Sequence, residues 1–413
     1  MIKGPQYSLP FRPFLLATLS LSLLAAAPLR AADWPHWRGP DFNGISKETG
    51  WQSNWPDEGP KRLWKASVGT GFSGITISHN RAYTMGNADD TDTVYCFDAT
   101  TGAVIWKHAY PCKLEPRNYE GGTSATPTVD GDRVYTMSKA GEMFCLNAAK
   151  GSVIWSNNVH EATGAGVPTW GFASSALVQG DRLILNIGKA GTALDKKTGK
   201  VLWSSGTNIC GYATPVPFNS GKEPRVAIFG WQTLEVVRVA DGQSIWSHPW
   251  KTLYDINASD PIIAGDQILI SSGCGHGDAL LKITDDKPSV VWENQDLMAH
   301  FASSIAWQGY VYGVHDGPKG SELHCIDWNT GALKWSNAEF GKGSLTMADG
   351  KLIGLSDKGM LIVAEPSPKE FKIISRAQVL GGKCWTVPTL ANGKIYCRNA
   401  KGDVACLDVS AKP

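Results

Sequence analysis

Ten residues from Phe97 to Trp106, FDATTGAVIW, return down the chain in altered copies, and their spacing limits the fold more than any other feature. The same frame is found in LDKKTGKVLW (Asp195, Gly199, Trp203) and IDWNTGALKW (Asp327, Gly331, Trp335). Looser copies are LNAAKGSVIW (Asn147, Gly151, Trp155) and VRVADGQSIW (Arg238, Gly242, Trp246). Each reads as the end of one strand, a polar turn whose Gly supplies positive φ, and a second strand carrying Trp. On an alternating strand that Trp has one face free to pack on a neighbouring unit.

From Trp64 the Trp positions step by 42, 49, 48, 43, 46 and 43 residues to Trp335. A period of roughly 40–50 residues made of short strands is the signature of propeller blades. One further step of 41 reaches Arg376 in FKIISR, where the register holds without Trp. The last unit, VPTLANGKIYCRNAKGDVACLD, supplies only three strands, and RLWKA around Trp64 supplies the fourth. The chain is therefore predicted to be all-β, an eight-bladed β-propeller closed by its N-terminal strand in the last blade. Phrases such as SATPTVDGDRVYTM and SDPIIAGDQILISS open the blades, with Pro127, Pro215, Pro261 and Pro388 at strand beginnings, where a missing amide is tolerated.

The ends of the chain read differently. Lys3 and Arg12 precede an uncharged run from Phe14 to Leu29, followed by small residues up to Ala32. That pattern predicts a signal peptide over 1–32; a run of 16 residues is short for a membrane span. The first cysteine after it is Cys96, so an exported protein, periplasmic or extracellular, is expected, with no lipid anchor and no transmembrane segment in the mature chain. Residues 33–59, with Trp34, Trp37, Trp51 and Trp55, form an arm that must pack on the propeller, with a ligand plug as the sharper alternative. The propeller then occupies 60–413. A net charge of +1 with 19% charged residues gives no basic stripe for nucleic acid.

Nine cysteines is an odd number for an exported chain. Cys96, Cys145, Cys325 and Cys406 stand two residues before the Asp or Asn of their repeats, where another copy has Ala193, so a small core position is expected there. A Cys210–Cys274 disulfide is left open. NADDTD (Asn87–Asp92) reads as a polar hairpin rather than a calcium loop. The glycines around His276 precede no helix, so they form no phosphate loop, and no metal site is expected.

In a propeller the innermost strand of each blade lines the central channel, and the loops entering it form one rim. The rim residues with chemistry are Arg117, Trp170, Tyr212, His300, Lys342, Lys383 and Trp385, with Asp260 the one rim aspartate to nominate as a base. Cations interleaved with aromatics suit a small, flat, anionic ligand held by stacking and charge pairing.

The frame A-x-D-x-x-T-G-x-x-x-W, complete in ALDKKTGKVLW, resembles the tryptophan-docking repeat of the pyrroloquinoline quinone (PQQ) dehydrogenase-like propellers. WPHWRGPDFNGIS, PTWGFASSAL and GKGSLTMADGKL extend the resemblance to exported bacterial PQQ-like repeat proteins over 33–413. Two functions are implied. Quinoprotein alcohol dehydrogenases of this kind hold PQQ and Ca2+ in the funnel and use an Asp as base; they are longer, and many carry a vicinal cysteine pair, which this chain lacks. The outer-membrane protein assembly propeller is a scaffold without cofactor, of matching length and blade count, although its lipid-attachment Cys is absent here. The expectation is a binding or interaction scaffold of the cell envelope, without catalysis or cofactor, whose partner is an envelope protein or a small ligand at the rim. The alternative is a PQQ- and calcium-dependent dehydrogenase.

Overall fold

The structure, a computed structural model, describes residues 1–2, 4, 32–218 and 223–411. The expected signal peptide lies almost entirely outside them. Eight sheets, each built on four antiparallel strands, stand in a ring. Blades one to six span 76–111, 128–158, 177–204, 216–249, 262–294 and 305–337, and blade seven spans 344–378. Blade eight joins three strands of 389–408 to Arg62–Ser67, which runs antiparallel to Asp403–Asp408 with Trp64 opposite Cys406. Within each blade the strands follow one another as a meander, so nearly all pairing is local and hairpins set the register.

The repeat explains how one blade holds the next. The Trp106 indole lies on Gly151 of blade two, where an added Cβ would sit 2.5 Å from the ring, and its Nε1 donates to the Ala148 carbonyl at 3.0 Å. Trp64 lies in the same way on Gly102, Trp155 on Gly199, Trp203 on Gly242 and Trp292 on Gly331. Glycine is required twice here: φ is near +70° at these turns, and a side chain would occupy the indole's place. The preceding Asp shapes the turn, as Asp98 Oδ1 accepts from the amides of Thr100 and Thr101. Trp246 and Trp335 meet no turn glycine, because blade five closes its outer hairpin with Asp285–Asp286 and blade seven with residues 366–371; the Trp335 indole still donates to the Ser367 carbonyl at 2.8 Å, whereas the buried Trp246 indole nitrogen has no partner.

The recurring cysteines have a matching explanation. Cys96, Cys145, Cys325 and Cys406, and Ala193 in blade three, each lie directly across the strand pair from the blade's Trp, a buried position that Val236 and Leu280 fill opposite Trp246 and Trp292. All nine cysteines are free, which leaves Cys210 and Cys274 unbridged; only Cys274 is exposed. Asn87–Asp92 forms the hairpin between Arg81–Ala88 and Thr91–Asp98, with Asn87 Nδ2 donating to the buried Asp92 at 2.7 Å.

Candidate functional site

The innermost strands all begin at one end of the ring, and in blades two to six each begins two residues after a Ser, Thr or Asp: Thr126, Ser175, Thr214, Asp260 and Ser303. These residues bind blade to blade. The Gly74 amide donates to Thr126 Oγ1 (2.8 Å), Thr126 to Ser175 Oγ (2.9 Å), Ser175 to Thr214 Oγ1 (3.0 Å), Thr214 to Asp260 Oδ1 (2.7 Å), and Asp260 to Ser303 Oγ (3.0 Å). Asp260 thus occupies a position that neighbouring blades fill with hydroxyls. Its extra charge is met by the buried Arg38, whose Nε is 3.9 Å from Oδ2, and by the indole N–H of Trp37. Burial pushes the Asp260 carboxyl up, while Arg38, Trp37 and the Thr214 amide pull it down.

Above this belt lies a cavity of about 330 Å³. Its walls are largely aromatic: Trp37, Phe72, Tyr119, Trp170, Tyr212, Phe301 and Trp385 all reach it. Trp385 stands between Phe72 (centroids 5.5 Å apart) and Phe301 (4.8 Å), while Trp170 meets Tyr212 edge-on at 5.9 Å. Cations lie over these rings. Lys342 Nζ is 5.1 Å from the Phe301 centroid and 5.5 Å from that of Trp385, and Lys383 Nζ is 4.3 Å from Trp385. At partly exposed sites such contacts are worth about 0.5–1 kcal/mol each, enough to fix the lysine stems beside the ring.

One wall carries a compact polar cluster. Asp316 Oδ2 accepts from Lys342 Nζ at 2.7 Å and from His300 Nδ1 at 2.7 Å, and its Oδ1 accepts from Ser321 at 2.7 Å. Burial alone would raise the Asp316 carboxyl, but the hydrogen bonds from His300, Lys342 and Ser321 and the Lys342 charge outweigh it and hold it well below the usual carboxylate range. An ionised Asp316 can only accept, so His300 carries a proton on Nδ1 and Nε2 is the ring nitrogen left for a ligand. Cys274 is near enough to feel Asp316 and Lys342. Its thiol is pushed up by burial and by Asp316 against the pull of Lys342, so it supplies no ready thiolate. The cluster can orient and hydrogen-bond a ligand; it contains no activated nucleophile.

The nominated residues therefore converge. Arg117, Trp170, Tyr212, Asp260, His300, Lys342 and Trp385 line the cavity, and Lys383 lines an adjoining depression that shares Lys342 and Trp385 with it. Lys383 is paired with Glu120 at 2.9 Å and Lys342 with Asp316, whereas the exposed Arg117 has no acidic partner among the described residues. Sequence reasoning missed Phe72, Trp37 and Asp316. Asp316 sits in the hairpin between the second and third strands of blade six, at the position that Asn87 holds in the equally long hairpin of blade one, and not in the segments that lead into the innermost strands.

An eight-bladed ring with tryptophan-docking repeats and an aromatic, cation-edged cavity on its axis defines a PQQ-like propeller. Residues 90–337 match the family model described as outer membrane protein assembly factor BamB, and the chain belongs to that family. It is 25% identical over 359 residues to the outer membrane protein assembly factor BamB of Yersinia pestis, covering 83% of this chain and 77% of that protein. It is also 26% identical over 338 residues to a polyvinylalcohol dehydrogenase of Sphingopyxis, covering 67% of this chain and 48% of that enzyme. The chain spans less than half the length of the polyvinylalcohol dehydrogenases it matches. Among solved structures, BamB from Moraxella catarrhalis superposes with a TM-score of 0.64 at 16% identity, over 85% of this chain and all of that one, a likeness of fold. No helix among the described residues is long and apolar enough to cross a membrane.

Proposed function

We propose that the protein is an exported binding propeller of the cell envelope whose working site is the axial cavity, and that it has no oxidoreductase activity. The observation that carries this reading is the lining itself: seven aromatic rings with Arg117 and Lys342 at their edge, and His300 Nε2 free to bond. That surface suits a planar aromatic acid.

Relatives named as dehydrogenases raise the alternative of bound PQQ and Ca2+, and the side chains present meet only half of it. Aromatic faces and cations fit a flat polycarboxylate. Calcium needs six to eight oxygens, commonly including several carboxylates. Asp260 is the cavity's one carboxylate and is already held by Arg38, Trp37 and the Thr214 amide. Among the described residues no group of three His, Cys, Asp or Glu converges as a metal site. An Asp260 occupied in this way is also poorly placed to take a proton from an alcohol.

The test is activity after reconstitution. Purified protein incubated with PQQ and Ca2+ is assayed for dye-linked oxidation of short alcohols and of polyvinyl alcohol. The expected rate is that of the heat-denatured control. Sustained turnover that depends on both PQQ and Ca2+ would establish the dehydrogenase instead.

A further inference from the structure

The arm meets the ring at the end opposite the mouth. Trp34 exchanges two backbone hydrogen bonds of 2.8 Å with Ile77, and the Pro35 carbonyl accepts from the Val129 amide at 2.7 Å. Ile45–Ser46 adds a parallel strand to the inner edge of blade seven, against Met347–Ala348. Ile77, Val129 and Met347 lie within innermost strands, beyond the residues that open onto the cavity. Phe42 packs into the cluster shared by blades three and four, and the Gln52 amide donates to Val409 beyond blade eight. A segment that touches blades on every side of the ring must cross its axis.

Trp37 is where it crosses. Its Nε1 donates to Asp260, at the head of blade five, while the far edge of its ring (Cζ3) lies 3.5 Å from where a Cβ on Gly74 would stand, at the head of blade one. In a ring of eight, blades one and five are opposite, so the indole spans the channel. Trp37 also lines the cavity and is only half-buried, unlike Trp34, Trp51 and Trp55. Directly behind it the buried Arg38 fixes the backbone, donating from Nη2 to the Ser304 carbonyl at 2.8 Å and to the Asn43 carbonyl at 3.0 Å.

From this geometry we infer that Trp37 is the floor of the binding cavity and a ligand-contacting residue, so that the arm turns an open channel into a site with a single mouth. The inference rests on the axial cavity being the ligand site, as proposed above. It adds that part of the site comes from outside the repeats: ligands enter and leave by the rim of Trp170, Tyr212 and Trp385 alone, and a planar ligand is confined between the wall rings and an indole below.

Two measurements on the full chain separate this from the function it builds on. The first is binding of PQQ, used as a planar aromatic acid probe without metal. Trp37→Ala is expected to weaken it about tenfold and Trp37→Phe to stay within about threefold of wild type. Wild-type affinity retained in Trp37→Ala would overturn the floor, whereas failure of the wild type to bind PQQ would count against the ligand class and leave the floor to the second measurement. That is hydroxyl-radical footprinting of the free protein. Trp37 is expected to oxidise along with Trp170 while Trp34 is spared. A Trp37 as protected as Trp34 would overturn the inference, whatever PQQ does and even if Trp37→Ala fails to fold.

Discussion

Replacing Trp106 by alanine is expected to lower stability by about 3–5 kcal/mol, the range for deleting a large buried aromatic side chain. The substitution removes the side chain joining blade one to blade two, leaves a cavity over Gly151, and takes one of three donors from the Ala148 carbonyl, which keeps Arg81 and Tyr83. Gly151→Ala should act from the other side of the same contact. Its φ of +70° disfavours a side chain, and the new methyl would lie 2.5 Å from the indole, for a loss of about 2 kcal/mol or more. The contact also makes a graded prediction. Trp106→Phe should cost more than Trp246→Phe, because the Trp246 indole nitrogen has no acceptor to lose. Chemical-denaturation midpoints of the four variants measure this, and an unchanged midpoint for Trp106→Ala contradicts the docking role.

The second large effect is expected at Arg38. Arg38→Met leaves Asp260 buried without its cation, and breaking a buried pair from one side costs about 3–5 kcal/mol. The sign with pH follows from the carboxyl. Burial holds the Asp260 pKa above its unfolded value, so its contribution to stability is full at low pH and is lost as pH rises through the folded pKa. Removing Arg38 takes away the strongest opposing pull and moves that loss further up. The defect of Arg38→Met should therefore be larger at neutral pH than in mild acid. Adding Asp260→Ser, the kind of residue that the neighbouring blades use in the belt, should recover most of it. Denaturation of the single and double variants at two pH values forms the cycle; a double variant no better than Arg38→Met would show that Arg38 acts through its carbonyl contacts to Phe42, Asn43 and Ser304 rather than through the charge.

The contrast between Trp106 and Asp260 shows what the sequence made legible. Docking repeats itself, so a Trp every 42 to 49 residues and, in most copies, a Gly four before it can be read without coordinates. The blade-opening phrases likewise pointed to Arg117, Trp170, Tyr212, His300, Lys342 and Trp385, because each lies in the segment that leads into the innermost strand of its blade. Asp260 stood out as a rim carboxylate, but its role depends on Arg38, more than two hundred residues away in a segment with no periodicity. Trp37 was hidden for the same reason: nothing in WPHWRGP says which of its aromatics faces the axis. Asp316 was hidden in a hairpin between second and third strands, outside the blade-opening phrases from which the rim was read. Symmetry made the scaffold readable, and the parts that give the cavity its chemistry break that symmetry.

Whether the cavity is a metal-independent binding site can be measured directly, by titrating the purified protein with PQQ once with excess Ca2+ and once with a chelator. The account predicts the same affinity in both, and a loss of about tenfold or more in Lys342→Met, since Lys342 supplies a charged hydrogen bond beside Trp385. Binding that appears only with Ca2+, or that is unchanged in Lys342→Met, would contradict it.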